Sequence, residues 1–192
     1  MIIQFRGTSG SGKTTAMRAA ANALAPFPEE WAKIHTEGRR QPESYQLDHV
    51  HILGHYESAC GGCDNIGSAR AVFELVEKTL RNDPEAIILC EGLLLSEDKK
   101  WAKQLAQLTN LKIIYLTTDV EECITRVKSR RKKAGNDKPL KEDNTRKRMS
   151  VIERSRLELS FSGVICRRAT TEQAAGVALR WIEEERKRRG GP

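Results

Sequence analysis

The fold of this chain is decided by the stretch Gly7-Thr8-Ser9-Gly10-Ser11-Gly12-Lys13-Thr14. It follows the apolar run 1–5 and precedes the helix-forming run 16–21, so it is G-x-x-x-x-G-K-T in the context that this motif requires. Small residues let successive backbone N–H groups point at an anion, and the dipole of the following helix adds partial positive charge. We predict a nucleoside triphosphate site at residues 7–15. In it Lys13 contacts the β and γ phosphates, the Thr14 hydroxyl binds Mg²⁺, and Thr15 lies alongside.

Length and composition indicate an ordinary globular enzyme. The 192 residues fit one domain, expected to span 1–192, that is large enough to bury a core. The motif begins six residues into the chain, and no apolar run approaches the roughly 18 residues of a membrane span. We therefore expect a cytoplasmic protein. The five cysteines do not suggest a disulfide framework, and Cys90, Cys123 and Cys166 are expected in the core.

Positive charge is concentrated in one segment. The chain carries a net charge of +7 with a pI near 9.3. Residues 128–148 hold ten Lys or Arg against three acidic residues, a local excess of seven that equals the excess of the whole chain. A polyanion is the natural partner of such a segment. Lys132, Lys133 and Arg148 are its candidate contacts to such a polyanion.

Strand and helix patterns alternate along the chain. Strands are predicted at 1–5, 31–35, 45–55, 86–91, 111–116 and 163–166, and helices at 69–80, 96–108, 120–134, 142–159 and 171–189. Ser96 is a possible N-cap, and the turn 117–119 caps the helix that follows it. This order predicts a P-loop NTPase of α/β class, a three-layer α/β/α sandwich with a mostly parallel five-stranded sheet. The ligand should lie outside the carboxyl ends of the strands.

The run 115–131 narrows the class of P-loop protein. It reads as a strand, a short Thr/Asp turn and an arginine-bearing helix, and it resembles the segment that leads into the lid of nucleotide and polynucleotide kinases. No Asn-Lys-x-Asp motif of a GTPase is present. We therefore expect a helical basic lid at about 126–148. Arg126, Arg130 and Arg131 are its candidate phosphate contacts, and Arg126 and Arg130 share a helix face. The alternative is a solvated basic helix.

Three acidic residues are candidates for the carboxylate that orients the acceptor hydroxyl or supports Mg²⁺. Glu91 ends the strand expected beside the P-loop strand, and its alternative role is an ion pair with a lid arginine. Asp48 lies where the second strand unit bends, so it is also a plausible turn residue. Asp64 precedes a helix and therefore also fits a simple N-cap.

The segment between residues 49 and 64 has two interpretations. Zinc-ligand types are supplied by His49, His51, His55, Cys60 and Cys63. Their spacing matches no zinc module. The favoured interpretation is that the Gly61-Gly62 turn shapes a substrate pocket, in which His55 and Tyr56 stack on a base or hydrogen-bond to it.

Four short segments resemble the phage 5-hydroxymethyluracil DNA kinases: Gly54-His55-Tyr56, residues 60–64, Cys90-Glu91-Gly92 and Asn144-Thr145-Arg146. The resemblance implies ATP-dependent transfer of the γ-phosphate to the base hydroxymethyl group of phage DNA, with Mg²⁺ as cofactor. The basic segment agrees with a DNA substrate, and a base in a duplex must be flipped out to react. Two alternatives stay open, a kinase of a free nucleotide or small hydroxyl compound, and a P-loop ATPase that binds nucleic acid.

Overall fold

The structure is a computed structural model that describes residues 1–36, 38, 40–57, 61–136 and 138–190. The strands are β1 (Ile2–Arg6), β2 (Ala32–Ile34), β3 (Ser44–Leu47), β4 (Val50–Leu53), β5 (Ile87–Glu91), β6 (Leu111–Leu116) and β7 (Ile165–Ala169). The helices are α1 (Lys13–Asn22), α2 (Ala69–Asn82), α3 (Leu93–Glu97), α4 (Lys100–Leu108), α5 (Val120–Lys133), α6 (Glu142–Phe161) and α7 (Thr171–Arg188).

The strands form a sheet in the order β2-β3-β4-β5-β1-β6-β7. The five strands from β4 to β7 in this order are parallel, while β3 runs antiparallel to β4 and β2 runs antiparallel to β3. The predicted α/β class is therefore confirmed, but the sheet has seven strands where five were predicted. Strands β2 and β3, which lie in the predicted strand stretches 31–35 and 45–55, extend the β4 edge as an antiparallel ribbon.

Helices cover both faces of the sheet. Alternate residues of β1 point to opposite faces: Ile3 and Phe5 belong to one core cluster and Ile2 to the other. Helices α1 and α7 pack on the first face, and α2, α4 and α6 pack on the second. The central parallel strands are buried along their whole length, as a sheet covered on both faces requires.

Most predicted helices form, with one change beside the site. The helix predicted over 96–108 is two helices, α3 and α4, and Ser96 lies inside α3 instead of capping it. Its hydroxyl donates to the Gly92 carbonyl (2.8 Å) and accepts from the Gly7 N–H (3.1 Å). The start of the P-loop is therefore fixed to α3. Asp119 caps α5 as predicted, through the N–H of Glu121 (2.8 Å).

The predicted lid spans the end of α5, the connection to α6 and the first two turns of α6. An ion-pair network joins the two helices, because Arg146 contacts Glu121 (2.7 Å) and Glu142 (3.4 Å) while Lys128 contacts Glu142 (2.5 Å). These pairs hold α5 and α6 as a hairpin. Among the described residues, no helix has both the length and the apolar composition needed to cross a membrane.

Candidate active site

The P-loop joins β1 to α1 and curls around the Lys13 ammonium. Lys13 Nζ donates to the carbonyls of Gly7 (2.9 Å) and Thr8 (3.0 Å). Gly10 and Gly12 have φ of 85° and 90°, and a Cβ at either would meet Cys123 O at 2.4 Å or Thr171 Oγ1 at 2.5 Å. Only glycine fits both the backbone conformation and the space. The loop is thus built with the shape that phosphate binding requires.

Two threonines that the sequence analysis did not single out support the loop from outside. The hydroxyls of Thr118 and Thr171 both donate to the Ser11 carbonyl, at 2.9 and 3.2 Å. These threonines lie just beyond the ends of β6 and β7, at the carboxyl edge of the sheet. Their signal in the sequence is positional, since residues just after the carboxyl ends of parallel strands lie at the ligand edge of the sheet.

Glu91 is placed as predicted, at the end of β5 and beside β1, where it pairs with Phe5. Its Oε1 accepts a hydrogen bond from the Thr14 hydroxyl at 2.8 Å. Glu91 is 2% exposed, and this burial raises the pKa of its carboxyl above the ordinary value, although the Lys13 charge and the Thr14 hydrogen bond act in the opposite direction. Burial also disfavours the charged form of Lys13 and therefore lowers the pKa of its ammonium. Thr14 and Glu91 thus bring a hydroxyl and a carboxylate to one point of the cavity, and both are oxygen ligands of the kind that Mg²⁺ prefers.

Asp64 lies in a 3₁₀ turn, Cys63–Asn65. Its carboxylate oxygens accept from the N–H groups of Leu93 (3.0 Å) and Leu94 (3.1 Å), so Asp64 holds the start of α3. The N-cap role considered from sequence is wrong for the helix that follows Asp64 in the chain, because Ser68 caps α2. Asp64 nevertheless lines the P-loop cavity.

The P-loop cavity has a volume of about 540 Å³, within the range of small-molecule sites. It is lined by Ser9, Gly10, Gly12, Lys13, Thr14, Thr15, Gly61, Asp64, Glu91, Leu93, Arg126, Arg130, Thr171 and Glu172. Two walls therefore face each other across the P-loop. One carries the carboxylates of Asp64 and Glu91, and the other carries lid arginines and the start of α7.

The three predicted lid arginines behave differently. Arg126 donates to the Gly10 carbonyl (3.3 Å) and pairs with Glu122 (2.5 Å), and Arg130 lines the cavity without a hydrogen bond or ion pair to any described residue. Arg131 instead donates to the Lys138 carbonyl (3.3 Å) and does not line the cavity. The shared face of Arg126 and Arg130 is confirmed, while the structure does not bring Arg131 to the site.

Asp48 is excluded from this cavity. It occupies the turn between β3 and β4 with φ of 50°, before the amino end of β4, whereas Glu91 lies at the carboxyl end of the parallel strand β5. It lines a separate cavity with His49 and Arg189. The prediction that Asp48 serves as the catalytic carboxylate is therefore wrong, because the direction of β4 carries it to the opposite edge of the sheet.

Of the two residues predicted to form the substrate pocket, His55 lines a cavity and Tyr56 does not. His55 lines a cavity of about 350 Å³ with Arg40 and Asn65, and its Nδ1 is buried without a partner among the described residues. Tyr56 is 1% exposed, and its ring packs edge-on against Phe27, with centroids 5.7 Å apart. Stacking of a base on Tyr56 is therefore contradicted, whereas His55 keeps a place beside an open cavity.

The alternative zinc interpretation gains no support from the described residues, which contain no group of three or more potential ligands that could hold a metal ion. Cys63 is buried and directs its thiol to the Leu53 carbonyl (3.5 Å). His49 and His51 both contact Asp83, at 3.0 and 2.9 Å. Cys60 lies outside the described residues.

Of the three predicted DNA contacts, two lysines have no ion pair with any described residue and the arginine has one. Lys132 and Lys133 are exposed at the end of α5 and have no ion pair with any described residue. Arg148 pairs with Glu97 at 3.2 Å. The lid therefore presents fewer unpaired cations than its sequence count suggests.

Two curated relatives align with most of the chain. A 5-hmdU DNA kinase of Pseudomonas phage PaMx11 is 38% identical over 144 residues, 72% of this chain and 73% of the relative. A 5-hmdU DNA kinase of Pseudomonas phage M6 is 31% identical over 169 residues, 80% of this chain and 82% of the relative.

No family model matches the chain. A solved deoxyadenosine kinase from M. mycoides with bound dATP aligns over 96% of this chain and 98% of its own at 14% identity, with a TM-score of 0.44. The two curated relatives share a name, and each aligns with more than two thirds of this sequence. This chain therefore belongs to the family of 5-hmdU DNA kinases.

Proposed function

We propose that this chain transfers the γ-phosphate of ATP to the hydroxymethyl group of 5-hydroxymethyluracil in DNA. The observation that carries the assignment to phosphoryl transfer is the Thr14–Glu91 pair facing Lys13 and Arg130 across one cavity. An arrangement of cations on one wall and carboxylates on the other suits phosphoryl transfer, in which charge is neutralised and an acceptor hydroxyl is oriented. Membership of the family supports the choice of acceptor.

The donor half of the site consists of the P-loop and the lid. Backbone N–H groups of residues 9–13 and the amino end of α1 hold the phosphates. Lys13 exchanges its two carbonyl contacts for phosphate oxygens, and Arg126 and Arg130 neutralise the transferred group. The residues fit Mg²⁺, since Thr14 and Glu91 offer oxygen ligands at one point, and the ion would stabilise charge on the transferred phosphate.

The acceptor half lies on the side of Gly61 and Asp64. Asp64 lines the P-loop cavity, while the next residue, Asn65, lines the cavity that contains His55. A base held by His55 and Asn65 would thus present its hydroxymethyl group toward Asp64. Glu91 is bonded to Thr14, the other candidate metal ligand, whereas Asp64 adjoins the cavity of His55, so we assign Glu91 to the metal and Asp64 to the acceptor hydroxyl.

The hydroxymethyl oxygen forms a bond to the γ-phosphorus, the bond from that phosphorus to the oxygen of the leaving ADP breaks, and the hydroxyl proton passes to the Asp64 carboxylate. Because the base must leave its stack to enter the cavity, the DNA pays an unpairing cost that contacts to its backbone must offset.

Transfer of labelled γ-phosphate to matched acceptors tests the proposed function. The acceptors are DNA with 5-hydroxymethyluracil, the same DNA with thymine, and the free mononucleotides. Label on the hydroxymethyl DNA alone is the expected result, and Lys13→Ala should abolish it. Label on a mononucleotide alone would assign the chain to small-molecule kinases, and ATP hydrolysis that is independent of any acceptor would make it an ATPase.

The response of two variants to Mg²⁺ distinguishes the proposed roles of Glu91 and Asp64. Glu91→Gln should raise the Mg²⁺ concentration needed for half-maximal rate, because it removes a ligand charge. Asp64→Asn should lower kcat at an unchanged Mg²⁺ requirement. Exchange of these two phenotypes would reverse the assignments.

A further inference from the structure

A second basic surface lies outside the active site, on the opposite edge of the sheet from β2. A groove of about 560 Å³ runs between the edge strand β7 and α7. It is lined by Arg167, Arg168, Ala169, Gln173, Gly176, Val177 and Arg180. Three of the seven lining residues are arginines and none is acidic. We call it the β7–α7 groove.

The arginines of the β7–α7 groove are not used to stabilise the fold. Arg167, Arg168 and Arg180 are exposed, and none forms a hydrogen bond or ion pair with a residue that the structure describes. Arg168 acts only at a distance on Glu153, whose pKa is lowered mainly by its hydrogen bond from Arg156. The lid differs, since Lys128, Arg146 and Arg148 there are paired with glutamates.

The floor of the groove also suggests a ligand. Gly176 lies in the middle of α7, where glycine is a poor helix former. A Cβ at this position would meet nothing within 4 Å, so packing within the described chain does not require glycine. The missing side chain leaves the helix backbone open to close approach by something outside the chain.

The groove and the P-loop cavity are lined by neighbouring residues of α7. Thr171 and Glu172 line the P-loop cavity, and Gln173 lines the groove that follows it. Gln173, Gly176 and Arg180 are spaced by three and four residues, so they share one face of α7. A polyanion bound in the groove would therefore lie along the same helix whose first residues line the P-loop cavity.

From these observations we propose that the β7–α7 groove binds the phosphate backbone of the DNA substrate at a distance from the modified base. This inference rests on the proposed function. Guanidinium forks suit phosphate oxygens, and the groove has charge complementary to DNA along a length that a free nucleotide does not need. Residues Arg167 and Arg180 are the principal contacts.

The sheet sets the distance between this contact and the target base. His55 follows β4, and β4 is separated from β7 by four strand spacings. At about 4.8 Å each, these spacings amount to roughly 19 Å. With a rise of about 3.4 Å per nucleotide, the groove contacts phosphates about five or six nucleotides from the flipped base.

The test compares two duplexes that carry one 5-hydroxymethyluracil, with flanks of about three and about ten base pairs on each side of it. For the wild-type enzyme, kcat/KM should be higher on the long duplex by roughly 10- to 60-fold at 0.1 M salt, the range for one to two phosphate contacts. In Arg167→Ala/Arg180→Ala this preference should largely vanish, with KM for ATP and the rate on the short duplex unchanged.

Two further variants sharpen the test. Lys78→Ala/Arg81→Ala removes the same charge from the exposed end of α2 on the other face of the sheet, and it should keep the wild-type preference. Gly176→Gln places a neutral side chain on the floor while all three arginines remain, and it should lose the preference.

An unchanged preference in the double arginine variant, or a rise in its KM for ATP instead, would overturn the groove assignment. Failure of the proposed function gives a different result, namely no label on either duplex with the wild-type enzyme. In that case fluorescence anisotropy with the same two duplexes still decides whether the groove binds DNA.

Discussion

The turn at Gly62 offers a sharp test of the Thr14–Glu91 pair. Gly62 has φ of 95° and ψ of −167°, a region that is essentially restricted to glycine. A Cβ built there would lie 2.4 Å from Glu91 Oε1, the oxygen that accepts the Thr14 hydrogen bond. Gly62→Ala should therefore strain the turn and displace the Glu91 carboxylate.

Gly67→Ala is the matched control. Gly67 has φ of 104°, but a Cβ there would meet nothing within 4 Å. Both substitutions should cost about 1–3 kcal/mol through backbone strain. For a chain of this length that loss lowers Tm by roughly 2–12 °C. Only Gly62→Ala also removes a hydrogen bond to a charged group, which contributes about 1.5–3 kcal/mol.

If that hydrogen bond holds Glu91 in its reactive position, Gly62→Ala should lower the Mg²⁺-dependent transfer rate by roughly 10- to 150-fold relative to Gly67→Ala. The assay is the initial rate of labelled phosphate transfer to 5-hydroxymethyluracil DNA, measured well below the Tm of both variants. Equal rates in the two variants would refute the reasoning, because the steric contact with Glu91 would then have no consequence for transfer.

Three further predictions use other parts of the site. Burial raises the pKa of the Glu91 carboxyl, so the acidic limb of the pH profile of kcat/KM should lie at a higher pH than an ordinary carboxyl gives. Added Mg²⁺ should move this acidic limb to lower pH, because the ion competes with the proton for the carboxylate. An acidic limb that does not respond to Mg²⁺ would contradict this role of Glu91. Thr118→Val and Thr171→Val each remove a hydrogen bond to Ser11 O and should raise KM for ATP by about 2- to 10-fold, which steady-state kinetics would detect and an unchanged KM would disprove. Because Arg148 is paired with Glu97 and the lysines are free, Lys132→Ala/Lys133→Ala should flatten the salt dependence of DNA binding more than Arg148→Ala does, and the reverse order in a salt titration would count against the lid as a DNA contact.

The parts of the site that could be predicted from sequence are those encoded by adjacent residues. The P-loop, the helix cap at Asp119 and the acidic end of β5 each depend on local order, and the structure has them in place. The lid face shared by Arg126 and Arg130 follows from helical spacing alone. These features needed no knowledge of the tertiary fold.

The errors all concern direction or long-range contact. Alternation of apolar residues over 45–55 indicates strands but is the same in either direction, so it could not place Asp48 at the amino edge. Tyr56 has the composition of a ligand contact, yet its ring joins Phe27 and Tyr45, which are distant in sequence. The hydroxyl of Ser96 supports Gly7 across 89 residues, a contact that no local pattern contains.

Arg6 shows how the base of the lid is joined to the P-loop. Its guanidinium is fully buried and donates to Gln4 Oε1 (2.7 Å), the Asp98 carbonyl (2.6 Å) and Ser155 Oγ (3.5 Å). No carboxylate among the described residues pairs with it. A buried charge with only neutral acceptors is costly to leave less satisfied, so separating α6 from β1 at Ser155 is strongly opposed. We therefore expect closure of the predicted lid to involve the segment 126–148, on the amino-terminal side of Ser155, while the lower part of α6 stays fixed to the residue that precedes Gly7.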